Sequence, residues 1–481
     1  MKSKSWICTT TSARVRGGTA EHVDLGSEVT SLFTYQSGGA QTFFGATEFT
    51  ISDITATNTP VSAVTGQTGG DYSTEQFGTA GGDYLYAVNG EDDAQLFDGA
   101  TWVAVDDVST PAITGVTTAD LSVVWSFANR LFFIEKGTLV VWYLPVDSIG
   151  GAASSFSLAG VFKRGGSLLF GATWSLDAGD GLDDKCVFVS TEGEVAVYEG
   201  TNPGDANNWR KAGVYRLPKP LGQKAYMQAG GDLLLAVESG LVPISEAIQR
   251  DEAALEVAAV SRNITPLWQA QVALTTSNNW QIAKWPRENI MIVSQPDDPE
   301  NTCLVANLKT GSWSRFTGLD TKCLGFFDDS AFFGSTSGKV YRFESGGSDD
   351  GTNYTCTYVG LHEGMGRPGL EKTVAQVRAI IQHSAPINPL VTVQMDYEVG
   401  PSQAPSALPD AGDFGAWDLS NWDEAFWDSG GRLQTRAIWS SVGRTGYTVA
   451  PEVQLTFGTV GKPDVELVSI DASYHVGALV T

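Results

Sequence analysis

The chain has 481 residues, 55 of them acidic and 30 basic, for a formal charge of −25. That length supports several hydrophobic cores, and that charge favours solubility and excludes a surface that wraps nucleic acid. It leaves room for DNA only as a passenger in a negatively lined channel that must not hold it.

Five cysteines, Cys8, Cys186, Cys303, Cys323 and Cys356, lie far apart with no C-x-x-C pair. They read as buried free thiols, since both a zinc knuckle and a disulfide framework need a different pattern. The opening stretch MKSKSWICTTTSARVRGG lacks the apolar core of a signal peptide. No run reaches the ~18 apolar residues needed to cross a bilayer.

In chain order, short aliphatic and aromatic runs are cut by glycine and aspartate turns. YLYAVNG at 84–90 leads to AQLFDG and then TWVAV. RLFFIEKGTLVVWYL at 130–144 is a hairpin around Lys136-Gly137, and KCVFVSTEGEVAVYEG at 185–200 is another around Glu192-Gly193. DLLLAVESG at 232–240 has the small apolar texture of an inner strand. ISEAIQRDEAALEVAAV at 244–260 is the best helix signal, with Ser245 as candidate N-cap. NIMIVSQPDDPENTCLVANL at 289–308 and SAFFGSTSGKVYRFES at 330–345 repeat the hairpin, the latter turning at Ser337-Gly338.

Trp102, Trp209 and Trp313 each follow a polar turn and open a short extended segment. The recurring unit is strand, tight turn, strand, turn, Trp-bearing strand, which is how a propeller blade is written. The expected fold is therefore all-β: an irregular β-propeller of five to seven blades over residues 1–350, with loops inserted at 147–180 and 244–285. Another all-β array, a sandwich or a β-helix, is the alternative. Residues near the N-terminus are expected to help close the ring, because a closed ring leaves no open sheet edges. Beyond about residue 350 longer strands take over, including LVTVQMDYEV at 390–399, and 351–481 reads as a β-sandwich or barrel domain.

That last domain carries a Trp-Asp strap at 412–431, with Trp417-Asp418, Trp422-Asp423 and Trp427-Asp428 spaced by five. A strand would put successive tryptophans on opposite faces, and a helix would rotate each by about 140°. The strap reads as a tryptophan-anchored interface element, and Trp417, Trp422 and Trp427 are expected to be buried in an assembly. Carbohydrate stacking by the tryptophans and a divalent-metal cluster of Asp418, Asp423 and Asp428 are the rival readings.

Other candidates are weaker. Asp177, Asp180, Asp183 and Asp184 cluster among glycines, but the EF-hand pattern is not met, since its second and third ligand positions fall on Gly179 and Gly181. Glu91, Asp92 and Asp93 read as solvation of a turn. TNPGDANNW at 201–209 departs from the aspartate-box order, because Gly204 precedes Asp205, and reads as an Asx-stabilised turn before a packed tryptophan. His22, His362, His383 and His475 are scattered, and no nucleophile or phosphate-loop motif occurs. No catalytic, cofactor-binding or metal residue is assigned, and an enzyme is not expected.

Three strings point further: residues 181–222, GLDDKCVFVSTEGEVAVYEGTNPGDANNWRKAGVYRLPKPLG; residues 311–323, GSWSRFTGLDTKC; and residues 364–372, GMGRPGLEK. Together with the strap they resemble the tail nozzle (tail tubular protein B) family of short-tailed bacteriophages, diffusely and over most of the chain. The resemblance implies a structural virion protein of the tail, made in the host cytoplasm and without a cofactor. It implies a homohexameric ring below the portal and adaptor, with fibre, spike or needle proteins docked outside. Ejected DNA would pass through without sequence-specific contact. A receptor- or carbohydrate-binding virion protein is the alternative function, and a propeller glycoside hydrolase a lesser one.

Overall fold

Runs such as LFFI, VFVS and LLLA are apolar or small at every position, a pattern that only a strand covered on both faces tolerates. The computed structural model describes residues 2–175, 184–277, 279–384, 387–398, 402–407, 434–458 and 461–477. Strand makes up 51% and helix 6%, so the chain is all-β as expected. No helix of the described residues is long and apolar enough to cross a membrane.

Two units emerge, one of residues 22–303 and 318–341 and one of residues 1–21, 304–317 and 342–481. The expected boundary near 350 falls close to the start of the last segment. The N-terminal residues and 304–317, placed by sequence with the blades, fold with the C-terminal unit instead. The cause is long-range pairing: Lys2–Lys4 runs antiparallel to Tyr354–Val359, and Lys4 pairs in parallel with Arg315.

The first unit consists of small, propeller-like antiparallel sheets. Six of them, among the described residues, and the eight-stranded sheet that Gln281–Trp285 opens each begin with a leading strand: Ser31–Ser37, Ser73–Thr79, Leu121–Phe127, Leu168–Trp174, Tyr226–Ala229, Gln281–Trp285 and Cys323–Phe327. The second strand of a hairpin can be enclosed throughout, as in Ser330–Gly334. The turns at Gly137, Gly193 and Gly338 all take positive φ, as a tight hairpin requires. The strand Thr19–Asp24 joins the seventh sheet beside Lys339–Phe343, so N-terminal residues complete it.

Hydrogen bonds, all but one from side chains, clasp the leading strands to one another. Gln76 exchanges two hydrogen bonds with the backbone of Gln36. Glu75 accepts from the amide and hydroxyl of Ser126 at 3.2 and 2.5 Å. Thr173 donates to Ser126 O and Gln228 to Thr173 O. The Ile282 amide donates to Lys224 O. Gln281 brackets the backbone of Leu324, and Thr34 donates to Phe326 O, which returns to the first sheet. Polar residues on these strands thus satisfy backbone groups that no ladder reaches.

Between the sheets lie aromatic cores. Trp209 is buried and stacks on Tyr198 at 5.3 Å and 16°. The turn before it is the Asx turn expected: Asp205 O accepts from the Asn208 and Trp209 amides, and its carboxylate from Asn207. The helix expected over 244–260 breaks into Ile244–Gln249, a 3₁₀ turn and Leu255–Ala258. Ser245 is not its cap, since its hydroxyl donates to Asp232. A further helix, Thr265–Val272, was not foreseen; it buries Trp268.

In the other unit two sheets share one core. One orders Trp313–Phe316, Lys2–Lys4, Tyr354–Val359, Val449–Phe457 and Leu390–Met395. The second orders Trp6–Cys8, Ala13–Val15, Val465–Val476 and Lys372–His383, with Gln434–Arg436 and Trp439–Gly446 along its last edge. Trp6, Val15, Val374, Val377, Val393, Val453 and Leu455 fill the space between. No barrel closes among the described residues.

Candidate functional site

The leading strands end on a cleft of about 1050 Å³ in the first unit. Side chains from the second to the sixth sheet converge on it. Alternation sends every second residue of a strand the same way, and turn residues at the strand ends add to the wall. Glu75 and Ser126 form its floor, with Trp125 and Phe127 as the apolar backing. Burial pushes the Glu75 carboxyl above its ordinary value, against the two hydrogen bonds from Ser126.

Tyr226 stands beside them, stacked on Phe170 with ring centroids 4.2 Å apart. Burial, and then the nearby Glu75 charge, raises its phenol, which stays protonated as a donor. Its hydroxyl has no hydrogen-bond partner among the described residues. Gln228 spends its amide N–H on Thr173 O, leaving its carbonyl oxygen to the cleft. Asn129, Asp184 and Lys284 stand at the rim, and neither Lys284 nor Asp184 has an ion-pair partner among the described residues.

At the opposite, starting ends of the leading strands a second polar group gathers. Asp71 pairs with Lys224 at 2.6 Å, and Lys224 also reaches Ser31 Oγ. Burial alone would raise the Asp71 carboxyl, yet Lys224, and behind it Lys322 and Lys136, hold it below its usual range. Its side chain is 72% exposed, so the pair with Lys224 stands open to solvent. Lys136 and Lys322 are themselves paired with Glu91 and Glu28, so the group is internally compensated.

The interface candidates Trp417, Trp422, Trp427, Asp418, Asp423 and Asp428 lie outside the described residues, as do Asp177, Asp180 and Asp183. Only Asp184 of the acidic loop is described, at the cleft rim. Asp92 accepts from Thr68, Gly69 and Asn89, which makes the 91–93 run part of a turn. The histidines stay apart: His22 bonds Ile54 O, and His362 packs on Tyr397. Four of the five cysteines are buried and all are free thiols. Among the described residues no group of three or more His, Cys, Asp or Glu is placed to hold a metal.

The cleft itself was missed by sequence reasoning. Its residues are spread over more than 200 positions, and Glu75 sits in an unremarkable polar strand, STEQFGT. The clasping Ser, Thr, Gln and Glu on successive leading strands were the available signal.

No protein-family model matches the chain, and no curated protein matches it. Solved structures do. The computationally designed Ika8 protein aligns at 11% identity and TM-score 0.37, over 67% of this chain and 99% of that one. The extracellular domain of BT3049, described as a hybrid two component system of B. thetaiotaomicron, aligns at 12% and 0.44, over 68% of this chain and 42% of that one. Saccharomyces cerevisiae Sqt1 aligns at 12% and 0.41, over 68% and 85%. At these scores none of them bears on function.

Proposed function

We propose that the chain is a non-enzymatic structural protein of a short-tailed phage virion, a subunit of the tail nozzle ring. In this reading the unit of residues 22–303 and 318–341 is a seven-bladed propeller and the other unit a β-sandwich. The assembly is a homohexamer that passes DNA during ejection and docks other tail proteins. The observation that carries the reading is where the family-like strings fall. Residues 184–222 of the first string supply three strands of the fourth sheet and the packed Trp209. GMGRPGLEK wraps the fully buried ammonium of Lys372, which donates to Arg367 O, Leu370 O and Tyr447 O at 2.6 to 2.7 Å. The resembling residues are ones that build the fold, as suits a family defined by architecture. A charge of −25 supports a lumen that repels phosphate.

Sedimentation and electron microscopy of the purified chain test this. Sixfold rings, alone or with an adaptor ring, are the expected result; a chain that stays monomeric and adds to no tail particle overturns it. The receptor-binding reading draws on one observation, the polar cleft at the ends of the leading strands.

A further inference from the structure

We infer that the C-terminal end of the helix Thr265–Val272 and the segment 295–297 bonded to it form a calcium site built from amide oxygens. Three buried acceptors lie there without a donor among the described residues: Gln271 Oε1, Gln295 Oε1 and Asn279 Oδ1. Gln271 and Gln295 are only 8% and 5% exposed. Buried polar atoms are nearly always hydrogen-bonded, and an open one calls for a water or an ion.

The two stretches are tied at several points. Gln295 Nε2 donates to Gln271 O at 2.8 Å. Two residues on, the Asp297 carboxylate accepts from the amides and hydroxyls of Thr276 and Ser277, and from Asn279 Nδ2 at 3.1 Å. These bonds also fix two of the amides. The N–H groups of Gln295 and Asn279 are spent on a carbonyl and a carboxylate, so turning either amide round would set oxygen against oxygen. The oxygen is therefore the open atom of each.

What these atoms lack is positive charge. A single water offers two protons to three acceptors, whereas a cation serves all of them at once. The helix Thr265–Val272 ends here with the negative pole of its dipole. Asp297 adds a carboxylate that its amide and hydroxyl partners leave charged, on a protein of charge −25. The donor set is all oxygen, which disfavours the softer metals that take sulfur or imidazole. Amide carbonyls beside a single carboxylate suit calcium, which accepts many oxygens in loose geometry, better than magnesium, which keeps its waters. A site of this kind holds too few acids to stand out as a cluster of His, Cys, Asp or Glu.

The full chain, stripped with EDTA, is titrated with calcium chloride, and with magnesium chloride as comparator, by calorimetry and thermal unfolding. Calcium is expected to bind more tightly than magnesium and to raise Tm until the site saturates. Gln271→Met removes one open oxygen at similar volume. In EDTA it should melt no lower than wild type, because an unpaired buried acceptor is gone. It should bind calcium at least roughly tenfold more weakly, so that in saturating calcium the wild type has the higher Tm. Gln271→Glu should do the reverse, with a lower Tm in EDTA and tighter calcium binding. No calcium-dependent heat or Tm shift in the wild type, which would leave the oxygens to buried water, overturns the inference. So does preference for magnesium, or wild-type calcium affinity in both variants. Loss of calcium binding in Asp180→Asn, with Gln271→Met binding as wild type, would move the site to the acidic loop and overturns it too.

Discussion

Arg16 and Asp349 form a bidentate pair, with N–H···O distances of 2.8 and 2.5 Å, inside the unit that contains both chain ends. The Arg16 side chain is 1% exposed. Its guanidinium lies 4.1 Å from the Tyr354 ring centroid and 5.5 Å from that of Phe316, and it also donates to Ser5 Oγ and Gly17 O. One side chain therefore touches all three sequence segments of this unit. Breaking a buried pair strands the remaining charge, which typically costs about 3–5 kcal/mol. Arg16→Met and Asp349→Ala should each lower the stability of this unit by about that amount. Denaturant unfolding followed by hydrogen exchange on Tyr354–Val359 would check it. If the double variant loses as much as the sum of the two singles, the residues are not coupled and the pair is not the cause.

Lys372 poses the same problem without a counter-charge. Lysine is almost never fully buried unless its ammonium is satisfied, and here three carbonyl oxygens take its three protons. Lys372→Met keeps the volume but leaves three carbonyls facing an apolar chain. The expected loss is about 3–5 kcal/mol. Lys372→Arg should not rescue it, because a planar fork cannot aim at a tripod of acceptors. Thermal unfolding of both variants is the measurement; a wild-type Tm for the methionine variant would show that the carbonyls find water instead.

Much of this architecture was legible locally. The Glu192-Gly193 and Ser337-Gly338 turns announced their hairpins because only glycine adopts the required φ cheaply. The Asp205 turn announced Trp209. What was illegible is pairing over hundreds of residues: nothing in KSK predicts a partner at 357–359. The helix at 265–272 was hidden by its length of two turns and its poor amphipathic pattern. The cleft escaped for the same reason as the terminal strands, since each sheet contributes only a few residues and none looks unusual by itself.

Two carboxylates, Glu75 and Glu344, should tilt the pH dependence in opposite directions. Burial lifts Glu75 above its ordinary 4.5, so the folded state holds that proton more tightly than the unfolded chain. Its contribution is complete below 4.5 and is lost as pH rises through the folded value. For Glu344 burial also pushes upward, but Arg14 at 2.8 Å and Lys462 at 2.7 Å overrule it and the net shift is down. Its contribution is present above 4.5 and is lost as pH falls through the lowered value. Scanning calorimetry from pH 3 to about 8 should show Glu75→Gln flattening the upper limb and Glu344→Gln the acid limb. The opposite assignment, or no change in either limb, would refute the pairing of residue with limb.

Gly171 tests how tightly neighbouring sheets are set. It lies in the leading strand Leu168–Trp174, and a Cβ built there would come within 2.4 Å of the Trp125 indole on the preceding sheet. Its φ is ordinary, so the conflict is one of space alone and the backbone would otherwise accept alanine. The indole has little room to retreat, because Phe132 stacks on it at 5.4 Å and Phe188 meets it edge-on at 5.9 Å. Overpacking of this kind costs about 1–3 kcal/mol. Gly171→Ala should therefore destabilise the unit by that amount, despite alanine's lower conformational entropy in the unfolded chain. The companion variant Trp125→Phe opens the space, and in that background Gly171→Ala should become close to neutral. A double-mutant cycle read by Tm decides it: equal losses from Gly171→Ala in both backgrounds would mean that the glycine is required for something other than the approach of the Trp125 ring.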